Sequence, residues 1–177
     1  MSDPKAVPAG DRARVSVSVA VPPAAAFRIF SEDIDQWWRR GLKYRVVDGR
    51  RGMLHLEPRV GGRLFESVER DGQTTVIETG RVTVWQPPAR LSFEWRAVNF
   101  EGDEVTHVEV TFAKTSSGTL VTVTHSGFGK LRPDHPVRHG RDAAAFVREM
   151  GMWWGGLMTS LREHCQRDDA AREGTDP

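Results

Sequence analysis

Three features of this sequence predict an α+β fold in which a curved antiparallel sheet wraps around one long C-terminal helix, with two short helices after the first strand. The first is the stretch from Gly140 to Cys165. Its apolar residues Ala143, Val147, Met150, Trp154, Leu157 and Leu161 advance by alternating steps of four and three, so they share one face of a 3.6-residue helix. The second is a period-two pattern that starts at Tyr44 and persists for about eighty residues. The third is the shortness of the turns inside that pattern, which demands mostly antiparallel pairing because parallel neighbours need a long crossover. A strand, two short helices, a run of antiparallel strands and a long last helix bury their apolar faces most economically when the sheet curls about that helix.

The elements follow in order. Residues 1 to 11 are rich in Pro, Gly and charge and are expected to form a loose tail, as are residues 166 to 177, leaving a single domain over 12–165. In Arg14 to Val21 the residues Val15, Val17, Val19 and Val21 alternate with polar ones, the mark of a strand with one buried side. Pro22-Pro23 ends it and presets a helix whose apolar contacts are Phe27 and Phe30; Ser31 is placed to cap a second short helix running to Trp37 and Trp38. Strands are then expected near 44–48, 52–57, 63–69, 74–84, 90–97, 105–114 and 119–126, with turns at Asp48-Gly49, Gly61-Gly62, Asp71-Gly72, Pro87-Pro88 and Ser116-Ser117-Gly118. Phe128 to His139 is an irregular connection, and Asp142 is the expected N-cap of the long helix. Inside that helix Gly151, Gly155 and Gly156 each cost about 1 kcal/mol relative to alanine. Such residues beside Trp153-Trp154 either let a neighbouring element come close or leave space next to the rings.

Composition narrows the function. The 177 residues carry 25 basic and 24 acidic side chains, net charge +1, spread along the chain. No strong field for nucleic acid or an anionic membrane results, and neither is expected as a partner. The single cysteine, Cys165, excludes an intrachain disulfide and fits a reducing compartment. No run of eighteen apolar residues and no signal-peptide pattern occurs, so a cytoplasmic protein is expected. Six tryptophans stand against one tyrosine, and four of them form the pairs Trp37-Trp38 and Trp153-Trp154.

Three stretches then resemble a known family: EPRVGGRLFE at 57–66, GRVTVWQPPARLSFEW at 80–95 and TVTHSGF at 122–128. With the order of elements they make residues 12 to 165 resemble the START-like helix-grip (SRPBCC) superfamily. Within it they resemble the group similar to the C-terminal domain of the activator of heat-shock protein 90 ATPase. The resemblance implies the helix-grip fold. It also implies a choice among carriers or sensors of apolar small molecules, aromatase and cyclase enzymes, and chaperone-associated modules of the stress response.

The leading expectation is non-catalytic binding of an apolar or aromatic small molecule between the last helix and the sheet, with no cofactor and no metal. The candidate ligand-binding residues are Trp37, Trp38, Phe65, Trp85, Phe93, Trp95, Phe112, Phe146, Met150, Trp153 and Trp154, most of which also serve as core. The candidate polar groups of the same pocket are Glu66, His107, Glu109 and His125, the set on which a cyclase or hydrolase alternative rests. No catalytic residue is assigned, since neither a nucleophile elbow nor a Ser/His/Asp order is present. His135 and His139 have the four-residue spacing of metal ligands, but Pro136 between them breaks the helix that such a pair needs. Self-association into a homodimer is the remaining partner expectation.

Overall fold

Alternation at the N-terminus does produce a half-buried strand, β1 (Arg12–Val19), in which Ala13, Val17 and Val19 are buried while Arg12, Arg14, Ser16 and Ser18 are exposed. The computed structural model describes residues 11–47, 52–96 and 98–174, so residues 1–10 of the tail expected over 1–11 and the expected Asp48-Gly49 turn lie outside the described residues. After β1 come α1 (Pro23–Glu32), α2 (Ile34–Trp37), β2 (Met53–Leu56), β3 (Arg63–Arg70), β4 (Gln73–Gln86), β5 (Arg90–Trp95), β6 (Thr106–Thr115) and β7 (Gly118–Ser126). Two short 3-10 turns, Phe128–Lys130 and Pro136–Arg138, lead into α3 (Ala143–Glu173). The seven strands form one antiparallel sheet in the order β1-β7-β6-β5-β4-β3-β2. Each hairpin therefore places sequence neighbours side by side, and only β1 travels far, closing the sheet against β7.

The concave face carries Leu64, Val82, Leu91, Phe93, Val108, Val110, Val121 and Val123, all buried, against which α3 lays Trp154, Leu157, Met158 and Leu161. This is the helix-grip arrangement expected from the sequence. Asp142 caps α3 as expected, its carboxylate accepting from Ala145 N at 2.8 Å. Ala143, assigned to the apolar stripe, is exposed at the helix start. No helix among the described residues is long and apolar enough to cross a membrane.

Three local expectations are corrected. Residues 44–47 form a turn, not a strand: Tyr44 N and Arg45 N both donate to Gly41 O, and Val46 N and Val47 N donate to the Glu66 carboxylate at 2.7 and 2.8 Å, so these amides are unavailable to a neighbouring strand. Ser31 does not cap α2; its hydroxyl turns back to donate to Phe27 O within α1, and Asp33 occupies the cap position. The C-terminal tail does not begin after Cys165, because α3 continues to Glu173. Asp168 on that extension lies 3.5 Å from Arg28 of α1 and 3.1 Å from Arg172, and His164 lies 3.5 Å from Asp33, so ion pairs hold a helix segment whose apolar stripe has already ended.

The glycines make opposite predictions. A Cβ at Gly80 would collide with the Glu94 carbonyl oxygen of the adjacent strand, which cannot move without breaking the ladder, whereas a Cβ at Gly151 or Gly155 meets nothing within 4 Å. Urea unfolding should therefore show Gly80→Ala destabilised by about 2–3 kcal/mol. The same measurement should show Gly151→Ala and Gly155→Ala each stabilised by about 0.5–1 kcal/mol from helix propensity.

Candidate functional site

Adjacent residues on a helix point about 100° apart, and Trp153 and Trp154 use that divergence. Trp154 enters the core beneath α3, fully buried, while Trp153 turns toward the segment after α2 and stays half-buried. Their ring centroids are 5.1 Å apart at 88°. Trp38 completes a knot of indoles, stacked on Trp95 at 5.8 Å and 13°, and edge-on to Trp153 at 5.8 Å and Trp154 at 5.6 Å. Tyr44 extends the knot outward, its ring 5.5 Å from that of Trp153 and flanked by the cations of Arg39 and Lys43. A Cβ at Gly156 would lie 2.7 Å from the Tyr44 hydroxyl, so this glycine is what lets the tyrosine lie against α3.

His125 is the polar centre of the knot. Trp154 Nε1 donates to His125 Nδ1 at 3.1 Å, and because an indole nitrogen can only donate, Nδ1 must be the bare nitrogen. Nε2 therefore carries the proton and donates to Thr106 Oγ1 at 2.8 Å, and the Thr106 hydroxyl donates in turn to Trp95 O at 3.3 Å. Burial, with a smaller contribution from the charge of His107, pulls the His125 pKa down to about 3. The imidazole is neutral with both nitrogens engaged, an arrangement suited to holding rings in place rather than to moving protons.

The segment over the knot is tied down at its far end by buried charge. Arg45 donates to Asp35 Oδ1 at 2.5 Å and to the carbonyls of Asp35, Trp38 and Arg39. Asp35 Oδ1 also accepts from Leu54 N at 2.8 Å. Burial opposes the Asp35 charge, but the Arg45 and Leu54 hydrogen bonds and the charges of Arg45 and Arg40 outweigh it and hold its pKa below the usual carboxylate value. Glu66, also buried, spends its two oxygens on Val46 N and Val47 N. At the near end Trp38 Nε1 donates to Tyr44 O at 3.0 Å and Trp153 Nε1 to Lys43 O at 2.7 Å.

The structure thus brings together Trp38, Trp95, Trp153, Trp154 and His125 from the expected set and distributes the rest. Trp85 and Phe112 pack with Phe27 and Phe30 under α1, at the other end of the core, and Trp37 joins the two ends, its ring 4.9 Å from Phe30 and 5.4 Å from Trp38. Phe93 is buried in the middle of the concave face, and Phe146 joins Phe128 in a second cluster at the start of α3, which Met150 bridges to the main core. Phe65 faces the outer side of the sheet, sandwiched by His55 and Arg63, because alternation from the buried Leu64 and Glu66 leaves it no other direction. His107 and Glu109 are corrected for the same reason: with Val108 and Val110 buried they point outward, and Glu109 pairs with Arg90 at 2.6 Å. Glu66 and His125 do point inward, but as clamp and ring-holder. His135 is likewise engaged, its Nδ1 accepting from Val137 N and its Nε2 3.3 Å from Glu104. Among the described residues no group of three metal-ligating side chains comes together. Sequence reading missed Tyr44, Arg45, Asp35 and Thr106, whose roles come from contacts across the fold that no local pattern announces. Two surface hollows lie away from the knot: one of about 270 Å3, lined by Glu78 to Arg81 with Glu94, Arg96 and Phe100, and one of about 360 Å3 on the outer face of the sheet, whose lining includes Phe93, His107 and Glu109 of the expected set.

Burial lowers the pKa of both His135 and His125, so both contribute to the acid limb of stability. For His125 the pKa is 6.5 when free and about 3 when folded, so below pH 6.5 the unfolded chain binds a proton that the folded chain refuses. Stability falls as pH drops from 6.5 toward 3, with a slope from this group of up to about 1.4 kcal/mol per pH unit. Glu57, whose pKa is lowered to about 2 by Arg63, acts only at lower pH, below 4.5. Urea midpoints measured between pH 6.5 and 5 should therefore fall less steeply in His125→Gln than in the parent chain; equal slopes would contradict the assigned protonation state.

Residues 20–146 match the family described as Activator of Hsp90 ATPase homolog 1-like protein. No curated protein matches the chain. Among solved structures, protein MLL2253 from Mesorhizobium loti is 21% identical with a TM-score of 0.58, the match covering 94% of this chain and 99% of that one. Protein NE0264 from Nitrosomonas europaea is 18% identical with a TM-score of 0.62, covering 93% and 99%. DynU16, a protein of the dynemicin biosynthetic locus, is 20% identical with a TM-score of 0.58, covering 88% of this chain and 47% of that one. These likenesses show the shared fold. The family match takes in both short helices, the sheet from β2 to β7 and the first turn of α3, and the chain belongs to the Activator of Hsp90 ATPase homolog 1-like family of the START-like helix-grip superfamily.

Proposed function

We propose that this chain is a non-catalytic binding protein for an apolar or aromatic small molecule, received against the indole knot under the segment that follows α2. The observation that carries this reading is the partial exposure of Trp95 and Trp153 at the rim of a knot in which Trp38 and Trp154 are closed off. Large flat rings that stay partly open next to a fixed polar centre are a surface on which another ring stacks with little loss of side-chain freedom. The Trp153 Nε1 to Lys43 O bond is the contact that must open to admit the ligand, while Arg45 and Glu66 keep the far end of the segment in place. Binding is favoured over acid–base catalysis because both nitrogens of His125 and both oxygens of Glu66 are already occupied within the protein. The occurrence of DynU16 in a biosynthetic locus, a setting of small-molecule chemistry, is compatible with this class of ligand.

Titration with a panel of aromatic and apolar metabolites, followed by tryptophan fluorescence and thermal unfolding, should give saturable quenching and a raised Tm for at least one compound. Trp153→Ala should weaken that compound by about tenfold or more. Absence of any saturable response across the panel would refute the reading, as would full affinity in Trp153→Ala.

A further inference from the structure

The outer face of the sheet, away from α3, holds a hollow of about 360 Å3 that spans β4, β5, β6, β7 and β1. Its side chains follow from alternation: with Phe93, Val108, Val110, Val123 and His125 buried inward, Ser92, His107, Glu109, Thr124 and Ser126 face out. The hollow coincides with a bulge. Val82 pairs with Phe93 but Val84 pairs with Ser92, so Thr83 is an extra residue in β4, and it lines the hollow. Bulges bend the bulged strand and interrupt the ladder, which gives an otherwise continuous sheet face its concavity.

Two kinds of unmet polar capacity converge there. Ser92 is nine-tenths buried and its hydroxyl has no hydrogen-bond partner among the described residues, a state that folded proteins avoid unless water or a bound group supplies the partner. The side chains of Arg12 and His107 have no hydrogen bond or ion pair among the described residues, whereas Arg90 and Glu109 neutralise each other at 2.6 Å. Arg12 pairs in register with Ser126, and Ser126 with His107, so the two free donors stand two strand spacings, about 10 Å, apart with a hydroxyl between them. Glu94, the next residue in that row, lies beyond His107 and does not line the hollow.

We propose that this hollow is a second binding site, for a small polar molecule bearing an oxyanion, a phosphate or a carboxylate, held between Arg12 and His107 with its remaining polar atoms on Ser92, Thr83, Thr124 and Ser126. Charge-assisted hydrogen bonds from a guanidinium and an imidazole recognise such an anion, and the surrounding hydroxyls suit a polar body rather than a ring. The site is on the opposite face of the sheet from the indole knot, so the two proposals stand or fall separately.

Amide chemical shifts of the full chain, recorded during titration with inorganic phosphate and separately with citrate, test it. Saturable shifts at Arg12, Ser92, His107, Thr124 and Ser126 are expected with at least one probe. Phosphate alone would assign a phosphoryl ligand, citrate alone a carboxylate, and both the shared oxyanion chemistry. Arg12→Ala, an exposed position whose loss leaves the core intact, should weaken the response by about tenfold, and Trp153→Ala should leave it unchanged. Linear, non-saturating shifts with both probes would overturn the proposal, and so would equal binding in Arg12→Ala.

Discussion

A buried indole N–H has to give its hydrogen to an acceptor, and in this protein the acceptor available to Trp154 is His125. That one demand reaches far. It selects the tautomer of the imidazole, sends the remaining N–H to Thr106, and passes the chain of hydrogen bonds on to the backbone of Trp95. Helix α3 is thereby joined to β7, β6 and β5 by a directional link, set within an apolar contact that would otherwise tolerate sliding. The stacking of Trp38 on Trp95 and the edge contacts among Trp38, Trp153 and Trp154 depend on that registration, because rings this large cannot pack if the helix shifts along its axis.

Buried charge performs a comparable service for the segment between α2 and β2. Arg45 and Glu66 are removed from water, and each is satisfied almost entirely by backbone groups of residues 35–47, with Asp35 as the one ionic partner. Such groups tolerate no alternative conformation, since any displacement would strand a charge in the interior. Beside that anchorage the segment is tied to the indole knot by two hydrogen bonds, from Trp153 Nε1 to Lys43 O and from Trp38 Nε1 to Tyr44 O.

The two faces of the sheet are chemically distinct. Inside, rings and branched aliphatics surround the neutral imidazole of His125, with the Glu66 carboxylate at one edge; outside, arginines, acids and hydroxyls alternate across the strands, and the β4 bulge gives that surface its shape. Membership of the Activator of Hsp90 ATPase homolog 1-like family accounts for the scaffold. On that scaffold this chain concentrates indoles at one end of the interior and uses a neutral histidine to hold their rings.

Much of the architecture was legible in the residue order. Step spacing announced α3, alternation announced six of the seven later strands' worth of pattern around real β2 to β7, and Gly-rich or Pro-rich breaks marked their turns, because these signals depend on which faces a local segment must bury. Alternation also carries inward and outward directions, and the expectation that Phe65, His107 and Glu109 enter the pocket failed because the buried Leu64 and Glu66, and Val108 and Val110, turn them outward. The run 44–47 misled because its alternation is real while its amides are claimed by Glu66, some twenty residues on. Sequence by itself determined which side chains would be apolar, aromatic or charged and on which face most would lie. Only the tertiary structure decided which tryptophans meet, that His125 is consumed by Trp154 and Thr106, and that α3 outlasts its apolar stripe through Asp168, because hydrogen bonds and ion pairs between distant segments form only once packing has brought their atoms within reach.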